Sequence, residues 1–329
     1  MINRIIKICP AVIGALCLLA SGAVSGQTSY PDKPIRLIVP YTPGGVTDGL
    51  ARGLADLMRP YLNNQTIVVE NKPGANTAVA AQWMGTVKPD GYTILFITPA
   101  TVVMNPLLVK NLGYNPDRDL IAVARFADIP FVTVVNSSSK FNSLSDLLNA
   151  AKAQTGKFNY GSTGIGSSIH LATLLLEEQS KTSMVHIPFS GSSPALTAVV
   201  AGDVQFMLDP PASSMPLIKG GKLKGLAVSS AQRLKALPDI PTIAESGYPG
   251  FEVSSWAGFV VPANTPKDVI EKLNRAVNEA AQNQDYRKRF EDLGVIFSAP
   301  MTPVQVQESI VSERAKWDRI IKANKLDPQ

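Results

Sequence analysis

Three loops rich in glycine, serine and threonine could bind an anionic group. They span residues 41–48, 160–168 and 189–194, and each leads from an apolar, strand-like run to the start of a helical pattern. Glycine permits close approach of the backbone, and the first turn of a helix offers unpaired N–H groups at the positive end of its dipole. One such loop is a common turn, but three in one chain predict a binding site for a small anion.

The loops do not fit the motifs of nucleotide-binding proteins or serine hydrolases. None contains Gly-x-x-x-x-Gly-Lys-Ser/Thr, and Ile169 stands where Gly-x-Gly-x-x-Gly would need a third glycine after Gly164 and Gly166. The Gly-x-Ser-x-Gly motif that presents a nucleophilic serine is also absent. Both functions are therefore disfavoured.

The two histidines are the residues that a catalytic serine would need. His170 lies early in a predicted helix, close enough to the second loop to contact a ligand, whereas His186 lies in an apolar strand, which is typical of a hydrogen-bonded core histidine. A Ser-His-Asp triad would have to use one of them. An exported serine esterase with Ser167 or Ser190 as nucleophile is therefore an alternative. No spacing of His, Asp or Glu predicts a metal site, and no cofactor is expected.

Asp48 is unexpected beside an anion-binding loop, because its carboxylate would repel an acidic ligand. It could capture an amine of the ligand. It could equally complement the dipole of the helix that begins at about Thr47, with Arg52 one turn away on the same face. The sequence leaves both interpretations open.

Composition excludes several classes of protein. The chain has 329 residues, of which 45% are hydrophobic and 17% charged, and this suits two folded domains of roughly 150 residues rather than a disordered chain. Two cysteines are too few for a disulfide scaffold or a multi-cysteine metal site. Lysine and arginine are dispersed apart from a short cluster at 287–289, so nucleic-acid binding is not expected.

The N-terminus predicts a secretory signal peptide. Arg4 and Lys7 precede an apolar run over residues 8–20, and small residues then lead to Gly26. The apolar run is short for a membrane span of about 20 residues. We expect cleavage after Gly26, so that residues 1–26 are removed with both cysteines and the product is exported to the periplasm.

The remaining chain alternates short apolar runs with helical patterns, which predicts an α/β fold with mostly parallel sheets. No flexible linker divides it, so extended crossovers at 125–135 and 251–261 are expected to join two lobes. We predict one lobe from residues 27–127 plus 254–329 and the other from residues 128–253. The predicted strands cover residues 36–41, 66–69, 93–98, 131–135, 184–188, 204–208 and 225–229.

Two C-terminal helices have clear start signals. Thr265 and Thr302 are each followed by proline and are predicted N-caps. The second helix carries Trp317, which is expected to pack in the core. The predicted buried faces are Val269, Leu273, Val277 and Ala280 in the first helix and Val306, Ile310, Trp317 and Ile321 in the second.

The succession of short motifs resembles one family over nearly the whole exported chain. Residues 30–40 (YPDKPIRLIVP), followed by Pro43-Gly44-Gly45 and Asp48, resemble the opening of the solute-binding receptors of tripartite tricarboxylate transporters, the Bug family. The similarity continues through 71–75 (NKPGA), 89–93 (PDGYT), 161–167 (GSTGIGS), 187–189 (IPF), 202–204 (GDV), 222–228 (KLKGLAV), 237–242 (LPDIPT) and 316–317 (KW). The family's usual pattern is not kept at Asn76-Thr77 or at Asp209-Pro210-Pro211.

This resemblance implies a two-lobe periplasmic binding protein of type II with its ligand in the cleft between the lobes, rather than an enzyme. It implies that the protein closes on a small carboxylate and delivers it to membrane transporter subunits; a monomer is expected. A sensor that passes the ligand signal to a membrane partner is a further alternative. The first and second loops are predicted to contribute Thr42, Gly44, Gly45, Thr47, Asp48, Ser162, Thr163, Gly166 and Ser167. Tyr41, Thr98, His170, Phe189, Ser190 and Asp209 complete the predicted set.

Overall fold

The computed structural model describes residues 30–326. The predicted signal peptide and its cleavage site lie outside these residues. Within them, no helix is both long enough and apolar enough to cross a bilayer.

Eleven strands in the described part form two sheets. In chain order they are β1 (Ile35–Val39), β2 (Ile67–Asn71), β3 (Thr93–Ile97), β4 (Leu120–Pro130), β5 (Val132–Asn136), β6 (Asn159–Ser162), β7 (Val185–Pro188), β8 (Phe206–Asp209), β9 (Leu223–Val228), β10 (Ser254–Pro262) and β11 (Ile296–Phe297).

Helices cover the sheets and connect most of the strands. They are α1 (Val46–Met58), α2 (Ala78–Met84), α3 (Asn105–Leu108), α4 (Pro116–Asp119), α5 (Leu144–Ala153), α6 (Ser168–Ser180), α7 (Ser192–Ala201), α8 (Pro211–Lys219), α9 (Lys267–Ala280), α10 (Gln284–Glu291) and α11 (Pro303–Ala323). Short 3₁₀ turns occupy Arg59–Tyr61 and Ala75–Thr77, and a π-helical turn covers Ala100–Met104.

Each sheet defines one lobe. The sheet of lobe 1 has the order β11-β4-β10-β3-β1-β2, and that of lobe 2 has the order β7-β6-β8-β5-β9. In each sheet three strands are mutually parallel, β1 with β2 and β3, and β6 with β7 and β8. The strands that enter from the other lobe, β10 and β5, pair antiparallel with their neighbours. The predicted two-lobe α/β architecture is confirmed, but the prediction of mostly parallel sheets is wrong. Among the described strands four pairings are parallel and five are antiparallel, because the strands that cross between the lobes, and β11, join the sheets antiparallel.

Burial on both faces explains the continuous apolar runs of the parallel strands. In β1, Leu37 and Val39 belong to a core cluster under α1 and α9, while Ile38 points to a second cluster. Alternating side chains of one strand thus serve two cores. The second cluster extends through Phe131 and Trp256 into lobe 2, so the lobes share apolar packing at their junction.

The chain passes between the lobes twice, and one serine ties the two passages together. The first passage is at Phe131, between β4 and β5, and the second leads through Val253 into β10. The Ser229 hydroxyl accepts a hydrogen bond from Phe131 N (2.8 Å) and donates one to Val253 O (2.5 Å). Backbone bonds of Ser229 to the same two residues complete the link.

The C-terminal helices match their predicted buried faces, but only one start signal is as predicted. Thr302 caps α11 in a reciprocal capping box with Gln305. Thr265 does not cap α9, because its hydroxyl donates to Pro262 O and Pro266 takes the cap position. Trp317 is buried in the core, as expected.

Candidate functional site

A cavity of about 550 Å³ lies between the lobes. Its walls are formed where strands of both sheets end and the following helices begin, the usual position of ligand sites in open α/β sheets. Lobe 1 contributes the loops after β1 and β3, and lobe 2 contributes the loops after β6, β7 and β8.

Four helices of eight or more residues begin at this cavity. The lining includes Gly45 at the start of α1, Ser168 of α6, Ser192 of α7 and Ala212 of α8. The first turns of α1, α7 and α8 have no side-chain cap, whereas Ser167 caps α6 by accepting from His170 N. Positive dipole ends from both lobes, and unpaired N–H groups at the starts of α1 and α7, therefore face one space, whereas α8 begins with Pro210 and Pro211, which have no N–H.

No charged side chain of the described residues lines the cavity. Its polar groups are hydroxyls, an amide and backbone groups, and a large part of the wall is apolar, including Met104, Ile129, Phe131 and Ile169. The Tyr41 hydroxyl is 2.7 Å from Thr98 Oγ1, and burial raises the pKa of Tyr41 to about 12, so the phenol stays neutral. The site suits a ligand with an anionic end and an apolar body.

Asp48 shapes the first loop from behind the cavity. Its carboxylate accepts hydrogen bonds from Gly44 N (3.0 Å), Arg52 Nε (3.0 and 3.1 Å) and Asn71 Nδ2 (2.8 Å). Burial by itself would raise the pKa of Asp48, but these bonds outweigh it and hold the pKa below its ordinary value. Asp48 is thus an ionised, buried anchor of the loop, and it does not line the cavity.

The histidines form a stacked pair beneath the second loop. The rings of His170 and His186 are 3.8 Å apart and nearly parallel, and His170 Nδ1 accepts from Gly166 N at 3.0 Å. Burial, with a smaller effect of His186, lowers the pKa of His170 to about 3, and burial also lowers the pKa of His186. Both rings are therefore neutral, and they support the loop that carries Gly166.

The predicted site residues divide into two groups. Tyr41, Gly44, Gly45, Thr47, Thr98, Thr163, Gly166 and Ser167 line the cavity. Thr42, Asp48, Ser162, His170, Phe189, Ser190 and Asp209 do not. Ser162 is buried against His186, with 2.6 Å between Oγ and Nε2, whereas Thr42 and Ser190 are exposed on the surface.

Several lining residues were not predicted. Ser192 lies in the third predicted loop but was not among the predicted site residues, whereas Ala212 and Ser213 lie at the start of α8, where the same rule could have found them. Ile129, Phe131 and Ser255 lie in the passages between the lobes and read as ordinary strand residues. Asn76 lies in a turn in which Ala75, Asn76 and Thr77 all have positive φ values, of 43°, 47° and 77°. The departure from the family's usual pattern at Asn76-Thr77 was the feature of the sequence that could have identified it.

A family model described as "Tripartite tricarboxylate transporter family receptor" matches residues 50–326. The UPF0065 protein in the tcbD-tcbE intergenic region of Pseudomonas sp. strain P51 is 35% identical over 97% of this chain and 98% of its own length.

Solved structures agree with this assignment. The periplasmic binding protein BugD is 32% identical, with a TM-score of 0.77 over 91% of this chain and 100% of its own. R. palustris Rpa4515 with adipate is 31% identical, with a TM-score of 0.81 over 91% and 100%. MatC (Rpa3494) from Rhodopseudomonas palustris with bound malate is 32% identical, with a TM-score of 0.75 over 89% and 100%. The chain therefore belongs to the tripartite tricarboxylate transporter receptors, a family of periplasmic solute-binding proteins.

Proposed function

We propose that this protein captures a small carboxylate between its lobes and delivers it to the membrane subunits of a tripartite tricarboxylate transporter. One observation carries the proposal: four helix starts from both lobes converge on one cavity that no charged side chain of residues 30–326 lines. Backbone N–H groups and helix dipoles can bind a carboxylate there without a competing carboxylate or a clamping arginine.

The preferred ligand is a dicarboxylate or an aromatic acid with an apolar body. Phe131 and Met104 line the same cavity as the helix starts of both lobes, so an apolar body can be buried against them while the anionic groups bind at the helices. An acidic amino acid fits less well, because the oxygens of Asp48 are engaged within the protein and no other carboxylate in the described part of the chain lines the cavity to bind an amine. The relatives solved with adipate and malate support this ligand class.

The proposal also covers export of the protein to the periplasm and closure of its lobes on the ligand. Residues 1–26 direct export and are removed in the periplasm, where the protein acts as a monomer. The two lobes, predicted as residues 27–127 plus 254–329 and residues 128–253, move about Phe131 and Val253, with residues 128–130 belonging to lobe 1 because β4 continues to Pro130. Ligand contacts to both lobes favour the closed state.

Catalysis is not part of the proposal. The Ser167 hydroxyl accepts from His170 N, and His170 Nδ1 accepts from Gly166 N, so this pair is not arranged for proton transfer from serine. The Ser162–His186 pair is buried away from the cavity lining. Hydrolysis of p-nitrophenyl acetate that disappears in Ser167→Ala would favour an esterase instead.

A thermal-shift screen of protein purified from the periplasm tests the proposal. The panel contains succinate, adipate, malate, citrate, terephthalate and benzoate, with adipamide as the uncharged control. A ligand at 100 times its dissociation constant adds about 2.7 kcal/mol to the free energy of unfolding. We expect at least one acid, but not adipamide, to raise the melting temperature. An unchanged melting temperature with every acid would refute the proposal.

A further inference from the structure

Asp209 is a buried carboxyl group directly behind the lobe 2 side of the cavity. It ends β8 and precedes α8, and none of its surface is exposed. Its Oδ2 lies 2.5 Å from Ser213 Oγ, and the hydroxyls of Ser192 and Ser214 are also close to the carboxyl group. Because Ser192 and Ser213 line the cavity, Asp209 can influence a ligand through them.

The hydrogen bonds of Ser213 point to a proton on Asp209. The Ser213 hydroxyl faces two acceptors, Asp209 Oδ2 at 2.5 Å and Pro210 O at 3.0 Å, but it has a single proton to donate. If Asp209 carries a proton of its own, it donates to Ser213, and Ser213 donates to Pro210. Both short contacts are then hydrogen bonds.

The second oxygen of Asp209 agrees with a neutral group. Oδ1 is buried and accepts no hydrogen bond from any residue between 30 and 326. An unpartnered oxygen is far less costly on a neutral carboxylic acid than on a buried carboxylate. Burial raises the pKa of Asp209 to about 6. The hydroxyls of Ser192, Ser213 and Ser214 favour the charged form and lower the pKa, but burial has the larger effect.

Other charged groups do not account for this behaviour. None of the titratable side chains on the elements packed around β8 and α8 is among the groups that set the pKa of Asp209. These side chains are Tyr160, His170, Glu177, Glu178, Lys219 and Lys224.

We infer that Asp209 is a positioning residue that holds a proton whenever a carboxylate occupies the cavity, so that ligand capture is coupled to the uptake of one proton. The inference rests on the proposed function. A negative charge behind the starts of α7 and α8 would oppose their positive dipole ends and repel an anionic ligand. A neutral Asp209 removes this repulsion and fixes the Ser213 hydroxyl.

The sign of the pH dependence follows from this linkage. Below the pKa of the free protein, about 6, Asp209 is already protonated and the affinity is constant. At higher pH, binding must first protonate Asp209, so the affinity falls by at most about tenfold per pH unit, the limit for one proton. The fall ends above the pKa of Asp209 in the complex.

Calorimetric titration with adipate from about pH 6.5 to about pH 8.5 tests the inference, since the carboxyl groups of adipate are largely ionised there. Buffers with different ionisation enthalpies report the number of protons taken up. We expect uptake approaching one proton per adipate and a rising dissociation constant in the wild type. Asp209→Asn is neutral at every pH. Its dissociation constant should therefore not vary with pH over this range, and its binding should take up no proton.

Glu177→Gln is the matched control. Burial raises the pKa of Glu177 to about 7, but its carboxylate accepts from Met184 N and does not line the cavity. This variant should keep the proton uptake of the wild type. If Asp209→Asn does not fold, the proton count of the wild type and of Glu177→Gln still decides, because neither needs that variant.

The outcomes separate the inference from the proposed function. Adipate binding by the wild type without proton uptake would overturn the role of Asp209 and leave carboxylate capture intact. Proton uptake that persists in Asp209→Asn, or that disappears in Glu177→Gln, would overturn it as well. If adipate gives no heat, the titration uses the acid that raises the melting temperature, and failure of every acid would refute the proposed function itself.

Discussion

Gly166 and Leu108 meet across the cleft so closely that a side chain at Gly166 would have to displace the leucine side chain. A Cβ atom there would lie 2.4 Å from Leu108 Cδ1. Gly166 belongs to the second loop of lobe 2 and lines the cavity, whereas Leu108 ends α3 on the lobe 1 side. Glycine at this point lets the two lobes approach each other to the distance seen in the structure.

Gly166→Ala should weaken ligand binding by hindering closure. Its methyl group would collide with Leu108, and we expect a loss of affinity of about tenfold or more, or at least about 1.4 kcal/mol. Gly164→Ala is the control, because Gly164 also has a positive φ, 119° against 72°, but has open space around its Cα. Both variants should lose about 1–2 kcal/mol of unfolding free energy from backbone strain.

Leu108→Ala should rescue ligand binding by Gly166→Ala. In the double variant with Gly166→Ala, the space left by the leucine side chain should restore most of the affinity measured by calorimetry. Equal affinity losses in Gly164→Ala and Gly166→Ala, with no rescue by Leu108→Ala, would show that strain rather than contact across the cleft is responsible.

Asp48→Asn should destabilise the protein by about 2 kcal/mol, because it removes buried, charge-assisted hydrogen bonds to Arg52 and Gly44 N. The pKa of Asp48 is lowered by folding. Its contribution is therefore complete above its unfolded pKa of about 3.9 and is lost as the pH falls through the lower folded pKa. Urea unfolding near neutral pH and in acid should show the difference between wild type and variant shrinking in acid.

Glu70→Gln is the matched control for Asp48→Asn. Glu70 pairs with Arg36 on the surface, with side-chain exposures of 40% and 45%. Its loss should change the unfolding free energy by no more than about 1 kcal/mol. An effect of Asp48→Asn as small as that of Glu70→Gln would contradict the anchoring role.

Ser229→Ala should destabilise the junction of the lobes by about 2–3 kcal/mol, because it leaves Phe131 N and Val253 O buried without their partner. Ser230→Ala is the control, since the neighbouring hydroxyl makes a single bond within its own turn, to Gln232 O. Urea unfolding should show the larger loss for Ser229→Ala. A loss no larger than that of Ser230→Ala would mean that the two passages are not coupled through Ser229.

Affinity should increase with the apolar length of a dicarboxylate. Each additional methylene group buried against the wall around Phe131 is worth about 0.8 kcal/mol, or about fourfold in affinity, from succinate through glutarate to adipate. Calorimetry at one pH measures this series. Tighter binding of malate than of adipate would instead indicate recognition dominated by polar groups.

Seven of the eleven described strands and the anion-binding loops could be predicted because they depend on local sequence, whereas β6 and β11 were missed and β4 and β10 were predicted only in part, as extended crossovers. Apolar runs identify β1, and glycine beside hydroxyl residues identifies the loops that contain Gly45 and Ser167. The lining by Phe131 and Ser255 could not be predicted in this way. These residues reach the cavity only because of how the lobes are placed, and in the sequence they have the pattern of core strands.

The roles of two further side chains could not be predicted from local sequence, for the same reason. The role of Asp48 depends on Asn71, which β2 brings beside the first loop from 23 positions along the chain. Thr265 has the pattern of an N-cap, but the carbonyl of Pro262 competes for its hydroxyl. In both cases a partner supplied by the fold decides between local alternatives of similar free energy.

The crystal structure of the protein with its tightest-binding dicarboxylate tests the central claim most directly. We predict one carboxylate within hydrogen-bond distance of backbone N–H groups in the first turn of α1, and the other at the helix starts of lobe 2, with the ligand body against Phe131. A ligand bound outside the cleft, or contacting only one lobe, would contradict the account.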